Sequence, residues 1–323
     1  QPSKDVCYII PELFPFTDTE QNDPITGESG GLLDIMLSQG QIPKIMFTNT
    51  SAEYWRGDAA LIHTDLETMS DATESAYVRR YHFAGCQHGA GVFPPEQIRT
   101  SDSLKGQLPF NSVDYTPLLR AALTNLDNWV STGDEPPSSR HPSLDRGTAV
   151  ESEVVMEKFV KIPGVNTPPE LIRAMRLYYG DETHLGRTTI LPAEEGAEFP
   201  ALVSDVDASF NELDGIRLPD LTVPVATYTG WNLRDESIGN PDLFIGITGG
   251  LAGSTLALPR TKEERINKGD PRLSIEERYD SKSEYLRETE RHAQVLVSEG
   301  YLLEEDLQPV IELAGRKYDY FST

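Results

Sequence analysis

The sequence has little of the residue types that would indicate a metal site or a disulfide-stabilised scaffold. Only two cysteines, Cys7 and Cys86, occur among 323 residues, too few to form a disulfide framework. The six histidines show no His-x-x-x-His spacing, and no Cys-x-x-Cys pair accompanies them. Because zinc sites usually carry such closely spaced ligands, we expect no zinc site.

Positive charge is also scarce, with 28 Lys and Arg residues against 52 Asp and Glu residues and a net charge of −24. Nucleic acids and anionic membrane surfaces both attract Lys and Arg, so this balance argues against both as partners. No apolar run approaches the ~18 residues that a membrane span requires. We therefore expect an acidic, soluble protein, exported or cytoplasmic, with no nucleic-acid partner and no membrane insertion.

The most informative segment contains a histidine between glycines, directly after a predicted strand. Residues 77–84 are rich in aromatic and β-branched side chains, and His88 follows on a loop with glycines at 85, 89 and 91. A loop at a strand end holds a side chain in place without regular backbone pairing. A general base that exchanges a proton with a nucleophile and a leaving group has this requirement, so His88 is the candidate base.

A candidate acid follows another predicted strand, upstream of the first. Residues 43–48 form a compact apolar run, and Glu53 comes just after its end, with Asp58 close behind. If the two strands are parallel neighbours, a carboxylate and His88 meet at the same edge of the sheet. The carboxylate would fix the tautomer of the imidazole and stabilise the imidazolium. We expect Glu53 or, alternatively, Asp58 to accept a hydrogen bond from His88 Nδ1.

Two residues of this chain are alternative nucleophiles. Residues 27–31 fit the Gly-x-Ser-x-Gly pattern around Ser29, which requires a strained turn between a buried strand and a helix. The preceding residues are polar and include Pro24, which favours a surface turn, although residues 32–37 could be helical. Cys86 lies two residues before His88, but residues at i and i+2 of an extended loop rarely meet in the in-line geometry that catalysis needs.

Proline and serine mark a boundary at residues 133–143, where no apolar side chain is available for burial. Before it, we predict a helix that ends near Gly40 and another that Thr116 caps, with Pro117 in its first turn, ending at Gly133. After it, we predict strands at 201–203 and 222–228 around a hairpin-like turn at 211–215, and helices at 281–297 and 306–317 with Asp306 as N-cap. The predicted units are therefore residues 1–135 and an accessory region with a β hairpin and C-terminal helices, 136–323.

The segment at 228–234, Tyr-Thr-Gly-Trp-Asn-Leu-Arg, has two interpretations. Its aromatic residues around a glycine could form the wall of a substrate pocket. Alternatively, they form a packed corner that attaches the second region to the first, with Arg234 paired to a carboxylate. Arg217 in the segment 215–219 has the same ambiguity.

Several ordered segments resemble a large group of α/β-hydrolase-domain proteins that are taken to be serine esterases. The resemblance covers nearly the whole chain, which corresponds to the C-terminal half of the longer family members. Cys86 departs from the small residue, such as Thr, expected at its position. The segments that carry the resemblance are 13–18 (LFPFTD), 48–55 (TNTSAEYW), 84–89 (AGCQHG), 106–109 (GQLP), 215–219 (GIRLP), 226–234 (ATYTGWNLR) and 269–272 (GDPR).

The resemblance implies an α/β-hydrolase fold, of which this chain supplies the C-terminal part of the sheet, with the acid and histidine loops, plus a mixed α+β accessory region. It implies Glu53 as acid and His88 as base in a carboxylic-ester hydrolase that needs no metal or organic cofactor. The nucleophilic serine would come from an N-terminal hydrolase half, and the substrate would be a small-molecule ester. The alternative is a non-catalytic binding or assembly protein that retains part of the fold.

Overall fold

The computed structural model describes residues 14–99, 103–168, 171, 173–245 and 251–323. Cys7 and the predicted irregular entry before residue 14 lie outside these ranges. The helices are α1 (Asp34–Gln39), α2 (Ser51–Arg56), α3 (Thr116–Ser131), α4 (Ser152–Phe159), α5 (Pro219–Thr222), α6 (Lys262–Lys268), α7 (Ile275–Arg278), α8 (Lys282–Ser298) and α9 (Glu304–Ser322). Single 3₁₀ turns occupy Ala59–His63, Thr183–Leu185 and Glu236–Ile238.

Most of the strands are short. They are β1 (Gln21–Asn22), β2 (Ser29–Gly30), β3 (Ile45–Thr50), β4 (Thr64–Asp65), β5 (Ser70–Asp71), β6 (Val78–Phe83), β7 (Ile98–Arg99), β8 (Leu104–Lys105), β9 (Ala149–Glu151), β10 (Met175–Tyr178), β11 (Glu194–Glu198), β12 (Leu202–Ser204), β13 (Ala226–Thr229) and β14 (Ser254–Ala257). Within the described ranges they pair two by two, and no larger sheet forms.

The pair that matters for the site is β3 with β6, the parallel pair among these ladders. Ile45 is aligned with Val78 and Thr50 with Phe83, so the two strands run in register and end together. Isolated bridges from Tyr81 and Phe83 extend the β6 side of this pair. No described strand pairs with the other edge of β3. The full sheet of an α/β-hydrolase is therefore not present in the described part of the chain.

For the predicted helices, the structure confirms the presence of a helix more often than the residue at which it begins. Helix α1 ends before Gly40 as predicted, and α3 begins at Thr116, but Tyr115 rather than Thr116 occupies the N-cap position. Asp306 does not cap α9, which begins two residues earlier at Glu304. Instead its carboxylate accepts hydrogen bonds from Arg120 of α3. A buried acid in the first turn of α9 therefore joins two helices.

The predicted hairpin around residues 211–215 does not form between the two strands that flank it. Strand β12 pairs with β9, and β13 pairs with β14, both antiparallel. The second predicted strand, 222–228, begins only at Ala226, since residues 219–222 form α5. Local propensity located both strands approximately, but it could not identify their distant partners. The division at residue 135 stays a prediction, although one core cluster combines Tyr81 and Leu118 with Tyr228 and Leu296, from both sides of that position.

Two apolar clusters anchor the ends of the parallel pair. The first packs Tyr81 and Phe83 of β6 among side chains of α3, α8 and α9. The second packs Tyr54 and Trp55 of α2 with residues of α4 and β12, and with Trp231, whose ring centroid lies 5.8 Å from that of Trp55. The strand end that leads to His88 and the helix that carries Glu53 are thus each anchored in a different cluster. None of the described helices combines the length and apolarity needed to cross a bilayer.

Candidate active site

The parallel register brings the predicted acid and the predicted histidine to one edge. Helix α2 begins directly after β3, and the glycine-containing loop begins directly after β6. His88 Nδ1 and Glu53 Oε1 lie 2.5 Å apart, within hydrogen-bond distance. Asp58, the alternative partner, instead forms an ion pair with Arg56, with 3.0 Å between Oδ2 and Nη2. The structure therefore selects Glu53 as the partner of His88.

The start of α2 fixes the orientation of the Glu53 carboxylate. Glu53 Oε2 accepts hydrogen bonds from the backbone N–H of Thr50, at 2.6 Å, and from the Thr50 hydroxyl, at 2.5 Å. Thr50, followed three residues later by a glutamate, is the pattern of a capping box, in which the glutamate side chain reaches back to the residue before the helix. With Oε2 held in this way, Oε1 is directed at His88.

His88 lies on a loop, and its own backbone is hydrogen-bonded to two neighbouring segments. Its N–H donates to the carbonyl of Leu251 at 3.2 Å, and its carbonyl accepts a hydrogen bond from the Tyr115 hydroxyl. Its side chain is nevertheless 59% exposed, whereas that of Glu53 is 17% exposed. Because Nδ1 faces Glu53, the second ring nitrogen, Nε2, is left to act on another molecule.

The pair shifts the pKa of both partners. The hydrogen bond to Glu53 raises the pKa of His88 above 6.5, against a smaller opposing effect of burial and of the nearby Arg56. Burial raises the pKa of Glu53, but hydrogen bonds from His88 and Thr50 outweigh it, so that the net pKa lies below 4.5. A carboxylate beside a histidine with a raised pKa is the arrangement that stabilises an imidazolium.

Two glycines are required by this geometry. Gly85 has φ of +67°, and a Cβ there would lie 2.7 Å from Leu221 Cδ2. Gly230, in the segment 228–234, packs on the start of α2: a Cβ would lie 2.3 Å from the carbonyl carbon of Ser51. This close approach, together with the buried ring of Trp231, makes the segment a packed corner.

The arginines considered with this corner differ in their partners. Arg234 donates to the carbonyls of Gly239 and Ile238, so the predicted pairing with a carboxylate is wrong. Backbone carbonyls at the end of a short 3₁₀ turn take its place. Arg217 does form an ion pair with a carboxylate, that of Asp207 at 2.8 Å.

Neither alternative nucleophile has the local structure that its role requires. Ser29 lies in the two-residue strand β2, antiparallel to β1, and its hydroxyl donates to Asn22 Oδ1 at 2.6 Å. This exposed hairpin is not a strand-to-helix elbow. The Cys86 thiol is buried and donates to the carbonyl of Ala84 at 3.3 Å, and burial raises its pKa well above 9. Such a thiol has little thiolate character and is inert.

Sequence reasoning missed the residues that support the pair. Tyr115, at the N-cap of α3, carries no motif that links it to His88, although an aromatic residue before a helix with proline in its first turn is a recognisable position. Glu212 is buried beside the start of α2 and the loop after β6, in a segment predicted to be a hairpin-like turn. Within the described residues, no three acidic, histidine or cysteine side chains converge on a position for a metal ion.

A comparison with protein-family models matches residues 19–312 to the alpha/beta hydrolase domain family. The chain belongs to this family. Neither the curated proteins nor the solved structures gave a significant match. Membership of the alpha/beta hydrolase domain family supports a hydrolase in general, and it agrees with the resemblance that the sequence segments carry.

Proposed function

We propose that this alpha/beta hydrolase domain chain is part of a carboxylic-ester hydrolase that uses a Ser-Glu-His triad. The observation that carries the proposal is the contact between Glu53 and His88 at the common end of two parallel strands. In this fold the acid and the histidine follow the nucleophile along the chain and are carried on loops after later strands. Glu53 and His88 have this order.

In the proposed mechanism, a serine hydroxyl attacks the carbonyl carbon of the ester while His88 Nε2 takes its proton. The tetrahedral intermediate collapses, the carbon–oxygen bond of the ester breaks, and His88 returns the proton to the departing alcohol. A water molecule then attacks the acyl-enzyme by the same route and releases the carboxylic acid. Glu53 holds the imidazole in the required tautomer and stabilises its protonated form.

We propose that the serine and the oxyanion hole come from a segment outside these 323 residues. Two observations support this proposal: Ser29 sits in an exposed hairpin, and one edge of β3 carries no described strand. Ile45, Met46 and Phe47 of β3 are only half-buried, as expected if further strands cover them. The chain would then contribute the C-terminal part of the sheet, with residues after 135 as an accessory region.

The test is to label the active-site serine of the chain, alone and together with the upstream sequence of its parent gene. A fluorophosphonate probe and a short-chain aryl ester report the nucleophile and the turnover, and peptide mass spectrometry locates the label. We expect the label outside these residues, and turnover only in the longer form. Labelling of Ser29, with loss of turnover in Ser29→Ala, would place the nucleophile in this chain. Absence of label and turnover in the longer form would favour a non-catalytic binding role.

A further inference from the structure

A buried carboxylate connects the helix that carries Glu53 to the loop that carries His88. Glu212 is 4% exposed. Its Oε2 accepts hydrogen bonds from the Ser51 hydroxyl at 2.7 Å and from the backbone N–H of Gly85 at 2.8 Å. The same oxygen lies 2.7 Å from Nε2 of His82, in β6. Three groups, from one helix, one loop and one strand, thus converge on a single atom.

The positions of these contacts along the chain connect them to the site. Ser51 is the first residue of α2 and precedes Glu53 by two residues, while Gly85 begins the loop that carries His88 three residues later. One carboxylate oxygen therefore restrains the helix that holds the acid and the loop that holds the histidine. Glu212 itself comes from a distant segment and is bridged to Val206 by antiparallel backbone pairing.

The environment leaves this carboxylate little freedom. Ser51 and His82 are fully buried, and the ring of Tyr54 packs edge-on against His82 with centroids 4.5 Å apart. A buried carboxylate is tolerated when hydrogen bonds satisfy it, and losing a partner is then costly. Glu212 is consequently rigid, and what it binds is rigid with it.

We propose that Glu212 is a positioning residue that sets the distance between Glu53 and His88 by holding Ser51 and Gly85 together. The proposal rests on the proposed function, in which that pair performs the chemistry. A merely structural role would make Glu212 important for stability but not for the contact between Glu53 and His88. The two roles therefore differ in what a conservative substitution does to His88.

The experiment compares Glu212→Gln and Ser51→Ala with the control Ser143→Ala. Ser143 is another fully buried serine whose hydroxyl donates to a carboxylate, that of Asp71, away from this pair. The pKa of the His88 imidazole is measured by NMR in the 323-residue chain, with the signal assigned from His88→Ala. This readout needs no turnover, so it separates failure of this inference from failure of the proposed function.

We expect Glu212→Gln and Ser51→Ala to lower the pKa of His88 toward 6.5, because the hydrogen bond that raises it is loosened. In an active preparation, kcat should fall about 10–100-fold with KM nearly unchanged, as expected for a small misplacement of reacting groups. The double variant should lose less than the product of the two single effects, since both act on one oxygen. Ser143→Ala should leave the pKa of His88 and kcat unchanged.

An unchanged His88 pKa and kcat in Ser51→Ala, at a loss of stability equal to that of Ser143→Ala, would overturn the positioning role. If Glu212→Gln does not fold, Ser51→Ala alone distinguishes the positioning role from the structural one. This variant should still fold, because it removes only one of the three contacts of Glu212. If the NMR shifts occur but His88→Ala retains full hydrolytic activity, the positioning by Glu212 stands and the proposed chemistry fails.

Discussion

Two histidine–glutamate pairs of the described residues are built from the same strand and its loop, but they differ in burial and in the ring nitrogen that meets the carboxylate. His82 lies inside β6, is fully buried, and meets Glu212 through Nε2. His88 lies six residues later on the loop, is 59% exposed, and meets Glu53 through Nδ1. A histidine beside a carboxylate is thus not by itself evidence of a reactive site.

What separates the pairs is which ring nitrogen remains available. The unused nitrogen of His82, Nδ1, is buried without a hydrogen-bond partner among the described residues. His88 uses Nδ1 for its carboxylate, and its side chain is exposed, so Nε2 can reach a nucleophile. The buried pair, His82 and Glu212, therefore stabilises the structure, whereas the exposed pair, His88 and Glu53, suits the chemistry that we propose.

The largest expected effect comes from removing the exposed histidine. His88→Ala should reduce kcat by about 10⁶, because the proton of the serine then has no acceptor. Since the side chain is largely exposed, the free energy of unfolding should change by less than about 1 kcal/mol. Ester hydrolysis and urea unfolding measure the two quantities. Hydrolysis that persists at the original rate would contradict the division between the two pairs.

A smaller loss is expected from Glu53→Gln. The rate should fall by about 10⁴, since an amide favours the wrong tautomer of the imidazole. The rate should also decline as pH falls through the pKa of His88, which Glu53 raises above 6.5. Loss of the negative charge lowers that pKa, so the acid limb of the pH–rate profile should move to lower pH. An acid limb that stays in place would indicate that Glu53 does not control His88.

The buried pair should respond mainly in stability. His82→Ala removes a hydrogen bond to Glu212 and leaves a cavity beside Tyr54, at a cost of about 3 kcal/mol in the free energy of unfolding. Urea unfolding followed by circular dichroism measures this loss. The fraction of the His82→Ala variant that remains folded should retain far more hydrolytic activity than His88→Ala does. A His82→Ala variant as stable as the unsubstituted chain would contradict the structural role of the buried pair.

The smallest effect is the pH dependence of stability that the exposed pair contributes. His88, with a raised pKa, contributes stability that is complete below pH 6.5 and is lost as pH rises through its folded-state pKa. Glu53, with a lowered pKa, contributes stability that is complete above pH 4.5 and is lost as pH falls through its folded-state pKa. The unfolding free energy of the unsubstituted chain should therefore exceed that of His88→Ala most between these two pH values, by less than about 1 kcal/mol because of solvent screening. A difference that is constant with pH would contradict both shifts.

The exposed pair could be predicted because the ends of the two strands are local properties of the sequence, and because the resemblance to a known family implied Glu53 and His88 as acid and base. Apolar runs ending near Thr50 and Phe83 indicate two strands, and parallel strands deliver their following loops to one edge. Glu212 could not be predicted, because a turn-like context conceals the burial that a distant segment imposes. Phe210 and Leu213, apolar neighbours of Glu212, are the only indication in the sequence, and Leu213 is itself 40% exposed. Strand partners such as that of β12 were missed for the same reason, since pairing over long distances depends on packing rather than propensity.

The buried thiol of Cys86 can be used to measure how often the loop that carries His88 opens. It lies between Gly85 and His88, and its sulfur becomes reactive only when this loop opens. In a chain with Cys7 replaced by serine, the rate of modification by an excess of a thiol reagent therefore reports the frequency of local opening. Slow modification, approaching the rate of global unfolding, would mean that the loop moves only with the core. Faster modification would measure how often the segment around Cys86 opens without unfolding of the core.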